Sequence, residues 1–313
     1  MKKGPLFYSK ILLFGEYGII KNSKGLSIPY NFYNGALKID DQLSEAHQKS
    51  NANLDRFADY LSQLESDRLT DVCFDLQAMR ADIAKGMYFD SSIPQGYGIG
   101  SSGALVAAVY DKYAKEKITI LENLTRDKLI KLKSIFAEME SFFHGQSSGL
   151  DPLNSYLSLP ILINSKENIE TAGIPSPKEN EKGAVFLLDS GSVGETAPLV
   201  NLFLENMKNE GFRNMLKDKF VKHTDACVED FLQGDVKSLF GNIKKLSHVV
   251  LDNFKPMIPK QFHQLWQKGI ESNAYYLKLC GSGGGGYILG FTQDLQKAKR
   301  ALKDYKLEVV YNF

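Results

Sequence analysis

The stretch Pro94-Gln95-Gly96-Tyr97-Gly98-Ile99-Gly100-Ser101-Ser102-Gly103-Ala104 decides how the rest of this chain is read. It sets four glycines in eight residues just ahead of Ala104 to Ala114, a small, apolar run that predicts a buried helix. Glycines let backbone N–H groups approach a ligand closely, and a helix start adds partial positive charge. Ser101 and Ser102 supply hydroxyls for capping that helix or for a metal ion. Phosphate binding is therefore favoured over a plain flexible loop with a serine cap. The spacing Gly98-x-Gly100-x-x-Gly103 formally matches a dinucleotide fingerprint, with Glu122 about 20 residues further on. That fingerprint requires an apolar strand running into its first glycine, and Ser91-Ser92-Ile93-Pro94-Gln95 precedes it here. The P-loop pattern fails as well, because Ala104-Leu105 stands where Lys-Ser/Thr is needed.

Three other segments carry chemistry. Leu129 to Phe143 has apolar residues at helical spacing, and His144-Gly145-Gln146-Ser147-Ser148-Gly149-Leu150-Asp151 follows it directly. Glu140 lies four residues before His144, so both face the same side of that helix and point at the loop. An aspartate beside a substrate hydroxyl can accept its proton in phosphoryl transfer, and a glutamate can hold Mg²⁺. The plainer alternative is a helix cap at Gly145 followed by an Asx-type turn. Late in the chain, Gly281-Ser282-Gly283-Gly284-Gly285-Gly286 has five glycines in six residues, more than a tight hairpin needs. Such a loop suits backbone packing against another glycine-rich loop or a ligand. Near the start, Lys10 interrupts the apolar strand Ser9 to Phe14. Alone it reads as an edge-strand lysine facing water; beside the other segments it reads as a cation for a transferring phosphoryl group.

The rest of the sequence sets the frame. Its 313 residues hold 38 lysines and arginines against 37 aspartates and glutamates, a net charge of +1. That balance gives no electrostatic case for nucleic acid or an anionic membrane. Cys73, Cys227 and Cys280 are too few and scattered for a disulfide framework or a zinc site, which points to a reducing cytoplasm. No apolar run approaches a membrane span, and no secretory signal follows Met1-Lys2-Lys3. Periodicity predicts strands in Tyr8 to Ile20, Leu157 to Asn164, Ala184 to Asp189, Tyr275 to Cys280, Tyr287 to Phe291 and Leu307 to Tyr311. Helices are predicted over Asn51 to Leu64 and through most of Glu195 to Asn273, with breaks at Gly211, Gly234 and Pro256. The expectation is an α+β fold in two lobes meeting near residue 190.

Taken together, the four segments resemble the GHMP kinase superfamily and, within it, the mevalonate kinases. Lys10 to Tyr17, Pro94 to Ala104, His144 to Asp151 and Gly281 to Gly286 occur in the family's order and cover nearly the whole chain. The resemblance implies a ribosomal protein S5 domain 2-like N-terminal lobe with a left-handed βαβ crossover, over 1–190. It also implies a ferredoxin-like C-terminal lobe over 191–313, with ATP in the cleft between them. Asp151 matches the family's catalytic base and Lys10 its partner lysine. Pro94, Gly96, Gly98, Ile99, Gly100, Ser101 and Ser102 match the nucleotide-phosphate loop. Ser102 and Glu140 match the Mg²⁺ ligands, and Glu16, Tyr17, His144, Ser148 and Gly283 match positions around the acceptor.

The implied activity is transfer of the γ-phosphoryl group of ATP to the 5-hydroxyl of mevalonate, in isoprenoid precursor synthesis, by a cytoplasmic enzyme. The partner is a small-molecule alcohol, with no nucleic acid and no membrane, and a homodimer is allowed. The chain departs from the family pattern where Tyr17 stands for histidine, Ser147 for proline, Pro152 for asparagine and Gly103 for alanine. An arginine is missing from Asp189 to Thr196. Most departures fall near the acceptor, which keeps two other readings open: a GHMP kinase for a sugar or phosphomevalonate, and a non-catalytic ligand sensor. The retention of Lys10, Glu140 and Asp151 argues against the sensor.

Overall fold

A computed structural model describes residues 4–67, 72–119, 123–165, 167–177 and 182–313; Glu122 lies outside the described residues. Two compact units are interleaved along the chain. The first comprises Met1–Lys10, Pro29–Pro94 and Gly100–Leu159, the second Ile11–Ile28, Gln95–Ile99 and Pro160–Phe313. No single cut, at residue 190 or elsewhere, separates them. Strands β1 (Phe7–Phe14) and β2 (Gly25–Ile39) each begin in one unit and finish in the other.

In the first unit the chain adds α1 (Glu45–Ser66), α2 (Leu76–Ala84), β3 (Met87–Ser91), α3 (Ser101–Tyr113), α4 (Arg126–His144) and α5 (Leu150–Leu157). The end of β2 pairs antiparallel with β3, from Gly35 opposite Ser91 to Ile39 opposite Met87. Helix α1 buries the expected stripe of Leu54, Phe57, Ala58, Leu61 and Leu64, and Ser44 caps it by accepting the His47 N–H. Helix α3 is buried from Gly103 to Tyr110, as its small side chains predict. Helix α4 buries Leu129, Leu132, Ile135, Phe136 and Met139 and ends at Gly145, whose φ of 71° is left-handed. Helix α5 corrects the expectation: Leu157 ends a helix and does not open a strand. Pro152 is tolerated in a helix's first turn, and the buried polar pair Asn154 and Ser155 hides the apolar period that Leu150, Leu153 and Leu157 keep.

In the second unit the start of β2 pairs antiparallel with β4 (Ile161–Ser165), which pairs with β5 (Asn168–Thr171). A second sheet is built from β6 (Ala184–Asp189), reached again after a helical stretch. That stretch is α6 (Thr196–Asn206), α7 (Glu210–Met215), α8 (Lys222–Gln233), α9 (Val236–Asn253) and α10 (His263–Ser272). Then come β7 (Tyr276–Leu279), β8 (Tyr287–Thr292), α11 (Leu295–Ala301) and β9 (Leu307–Asn312). The order is β7-β8-β6-β9, with antiparallel pairings throughout. Helices between β6 and β7 and between β8 and β9 make this β-α-β-β-α-β, the ferredoxin-like arrangement. Gly234 ends α8 in the left-handed region and Pro256 falls in a short 3₁₀ turn, as expected. Gly211 does not break the helical stretch; it lies in the first turn of α7. Among the described residues no helix is long and apolar enough to cross a membrane.

Candidate active site

Strand β1 is buried along both faces, and Lys10 is buried with it at 4% exposure. The edge-lysine alternative therefore fails. A buried ammonium needs a counter-charge, and Lys10 Nζ has one 2.8 Å away in Asp151 Oδ1. Asp151 is the second residue of α5, and its side chain keeps 34% exposure against 5% for Lys10. Gly103 allows this arrangement. A Cβ there would lie 2.7 Å from the Asp151 carbonyl carbon and from the Pro152 nitrogen, so only glycine lets α3 pack so close to the first turn of α5.

Beside this pair sits Glu140, 3% exposed on the last turns of α4. Ser102 Oγ donates to Glu140 Oε1 at 2.8 Å and lies 3.0 Å from His144 Nε2. Because the serine's one proton goes to the carboxylate, His144 supplies the proton of the second contact. The other carboxylate oxygen, Oε2, accepts from Ser147 Oγ, and that hydroxyl accepts the Gly149 N–H at 3.0 Å. Burial first, then the nearby Asp151 carboxylate, pushes Glu140 up from its usual value to about 7, against the lowering effect of the two serines and Lys10. The spacing of Glu140 and His144 thus delivers both side chains to one hydroxyl, as the helical period requires.

Ser102 and Glu140 form a small set of hard oxygen donors. Among the described residues no group of three or more His, Cys, Asp or Glu gathers for a metal. One or two protein oxygens suit Mg²⁺, which keeps most of its waters or takes phosphate oxygens, better than they suit a caged transition metal. A cation held there would favour the ionised carboxylate and so oppose the upward push that burial gives Glu140. The start of α3 suits an anion: Gly100 precedes it in the left-handed region and no side chain caps it. Ser101 is half-buried beside Ser102, and Pro94 is half-buried at the end of its segment of the first unit.

The earlier glycines of the same stretch, Gly96 and Gly98, belong with Ile99 to the second unit. There their stretch meets two other loops through backbone hydrogen bonds, and the Tyr97 ring packs edge-on to Tyr287 at 5.0 Å. Gly194 N–H donates to the Gly96 carbonyl at 3.1 Å and Tyr287 N–H to the Tyr97 carbonyl at 3.4 Å. Ser190 N–H reaches the Gly286 carbonyl at 3.0 Å, and Gly286 N–H returns to Ser192. A Cβ on Gly286 would fall 2.5 Å from the Tyr97 Cα. The glycine run 281–286 is therefore explained by packing on loops 95–99 and 190–196, the first of the two roles weighed from sequence.

Of the residues expected around the acceptor, His144 and Ser148 stand exposed in the first unit. Glu16, Tyr17 and Gly283 are buried in the second. Glu16 pairs with Lys278, whose Nζ also donates to the Leu279 carbonyl at 3.0 Å. Tyr17 packs its ring 4.8 Å from Phe203 and 6.0 Å from Phe254, and its hydroxyl donates to the Ser282 carbonyl at 2.7 Å. Burial, then the adjacent Glu16, pushes that phenol well above its ordinary value. Gly283 leaves no room for a side chain, since a Cβ would lie 2.4 Å from the Met257 carbonyl oxygen. Sequence reasoning missed Lys278. The available signal was the one that exposed Lys10, a lone lysine inside an apolar strand, Tyr275 to Cys280.

Residues 67–158 match the family described as GHMP kinases N terminal domain. No curated protein matches the chain in sequence. Among solved structures, the L. major mevalonate kinase in complex with R-mevalonate superposes with a TM-score of 0.64 at 16% identity, covering 99% of this chain and 97% of that one. The Streptococcus pneumoniae phosphomevalonate kinase in complex with phosphomevalonate and AMPPNP gives 0.62 at 15%, covering 98% and 99%. The Lactococcus lactis galactokinase complexed with galactose gives 0.63 at 12%, covering 98% and 92%. Residues 67–158 thus resemble a GHMP kinase N-terminal domain, and the chain shares the fold of these solved kinases over its whole length.

Proposed function

We propose that the protein is an ATP- and Mg²⁺-dependent small-molecule kinase that phosphorylates an alcohol, with the 5-hydroxyl of mevalonate as acceptor. The observation that carries this reading is the Lys10–Asp151 pair at 2.8 Å, buried on the lysine side and open on the carboxylate side. Asp151 accepts the proton of the acceptor hydroxyl as that oxygen attacks the γ-phosphorus. Lys10 holds the carboxylate in place and offsets negative charge as it develops, in a buried setting where the effect is larger than in water. Ser102 and Glu140 would hold the cation, and the backbone N–H groups at the start of α3, from Gly100 to Ser102, would meet the phosphates. When bound, the cation neutralises charge on the nucleotide's phosphate oxygens. No covalent enzyme intermediate is required, because positioning and electrostatics suffice for in-line transfer.

The choice of mevalonate rests on the His144-Gly145 and Ser148-Gly149-Leu150-Asp151 pairing, supported by the L. major neighbour. The neighbours that bind phosphomevalonate and galactose keep a second acceptor in play on the same chemistry. A coupled ADP-release assay with ATP, Mg²⁺ and a panel of mevalonate, phosphomevalonate, galactose and homoserine tests the reading. Turnover with mevalonate alone is expected. Turnover with another alcohol keeps the Lys10–Asp151 chemistry and replaces the acceptor; no turnover across the panel overturns the kinase reading.

A further inference from the structure

We propose that Ser147 is a positioning residue that fixes the Glu140 carboxylate for its divalent cation by tying it to the first turn of α5. This rests on the kinase reading above. Ser147 is half-buried in a loop whose neighbours Gln146 and Ser148 are exposed. Its hydroxyl is used in both directions: it donates to Glu140 Oε2 and accepts from the Gly149 N–H at 3.0 Å. Ser102 already holds Glu140 Oε1 at 2.8 Å. A carboxylate held at one oxygen can still rotate about its last bond. Held at both, by hydroxyls from two different segments, its plane is fixed.

The second hydroxyl does more than fill a lone pair. Gly149 is the left-handed residue from which α5 starts, two positions before Asp151. A Cβ on Gly149 would lie 2.0 Å from the Lys133 carbonyl oxygen, so this turn is pressed against α4. Through Ser147 the proposed cation ligand on α4 and the proposed base on α5 share one short bridge: Glu140 carboxylate, Ser147 hydroxyl, Gly149 amide. A proline or alanine at position 147 has no hydroxyl to make that bridge. Groups that hydrogen-bond a metal-binding carboxylate usually set affinity by about 10–100-fold, which is the size of effect expected here.

The test measures Mn²⁺ binding by electron paramagnetic resonance titration, in the presence of a non-hydrolysable ATP analogue. It compares the parent protein with S147A, S147T and E140Q, each with its melting temperature. Hydrogen exchange at the Gly149 amide gives a readout that needs no metal. The expected result is a roughly 10-fold weaker Mn²⁺ Kd in S147A, recovery in S147T, which keeps the hydroxyl, and faster Gly149 exchange in S147A alone. Mn²⁺ binding in S147A within twofold of the parent, with E140Q still impaired, overturns the role of Ser147 and leaves the kinase reading intact. Equal Mn²⁺ binding in E140Q and parent overturns the cation assignment itself. A loss in S147A that S147T fails to recover, with a lowered melting temperature in both, reduces Ser147 to ordinary packing and also overturns the proposal.

Discussion

Among the described residues two buried lysines each pair with a carboxylate, one in each unit, and the pairs differ in how far that carboxylate is open to solvent. In the first unit Lys10 is 5% exposed and its partner Asp151 34%; in the second Lys278 is 3% exposed and its partner Glu16 5%. Both lysines interrupt apolar strands, so their sequence signals are alike. An open carboxylate can meet a reacting hydroxyl and pass its proton to water. A sealed one returns the free energy of its desolvation only as a fixed geometry. Burial of the lysine therefore says that a carboxylate is near, and exposure of the carboxylate says whether the pair can do chemistry.

Four measurements can break that contrast or sharpen it. Asp151→Asn removes the open carboxylate's basicity and keeps its shape. Its turnover in the ADP-release assay is expected to fall 10³- to 10⁴-fold, about 4–5.5 kcal/mol, in protein that is still folded at the assay temperature, although its melting temperature drops because Lys10 loses its counter-charge. Normal turnover would place Asp151 outside the reaction. Lys278→Met should do the reverse, lowering stability in a denaturant titration by about 3–4 kcal/mol because Glu16 is left buried and uncompensated. Adding Glu16→Leu should recover most of that loss; if the single variant loses under about 1 kcal/mol, the sealed pair is not structural.

A smaller effect is expected from Glu140, whose carboxyl rises from 4.5 to about 7 in the fold, mainly through burial. Between those values the folded chain keeps a proton that the unfolded chain releases. Stability should therefore fall as pH rises from 4.5 to 7, by about 2–3 kcal/mol in all. Asp151 and Lys10 face the same carboxyl, and His144 shares its Ser102 partner. Subtracting the profile of Glu140→Gln isolates the slope, and identical profiles would remove Glu140 as its source. Last, Tyr17→Phe deletes the hydrogen bond to the Ser282 carbonyl and should lower stability by about 1 kcal/mol. A shift in the acceptor's KM with unchanged stability would instead move Tyr17 from packing to the substrate.

The elements legible in the sequence are those where one pattern dominates. The stripes of α1 and α4, the small residues of α3 and the apolar runs of β6 and β8 fall where periodicity sets them. In the site, helical spacing alone brought Glu140 and His144 toward the same loop, and the structure adds Ser102 as their shared partner. Long-range pairing was not legible from spacing. Nothing local in Lys10 names Asp151 as its partner, and nothing in Tyr275 to Cys280 names Glu16. Helix α5 was hidden by two buried polar residues, and Ser147's bridge by a loop that reads equally well as an Asx-type turn. Likewise, the glycines of 281–286 announce a close approach without saying to what, because a backbone contact leaves no mark on the partner's side-chain pattern.

The interlocked loops of the second unit also bear on the order in which the protein assembles. Tyr97 is held by a hydrogen bond from Tyr287 and Gly96 by one from Gly194, so the start of the glycine stretch is pinned by segments made much later. Contacts of such sequence separation pay a large loop-closure entropy before they return any free energy, which makes them slow to form. The remainder of the same stretch, from Gly100 onward, is held by nearer neighbours such as Glu140 and the first turn of α5. On a ribosome, residues 95–99 must wait until Gly286 has emerged. One glycine-rich loop is thus completed in two instalments, and the closing of the late one marks the arrival of the native state.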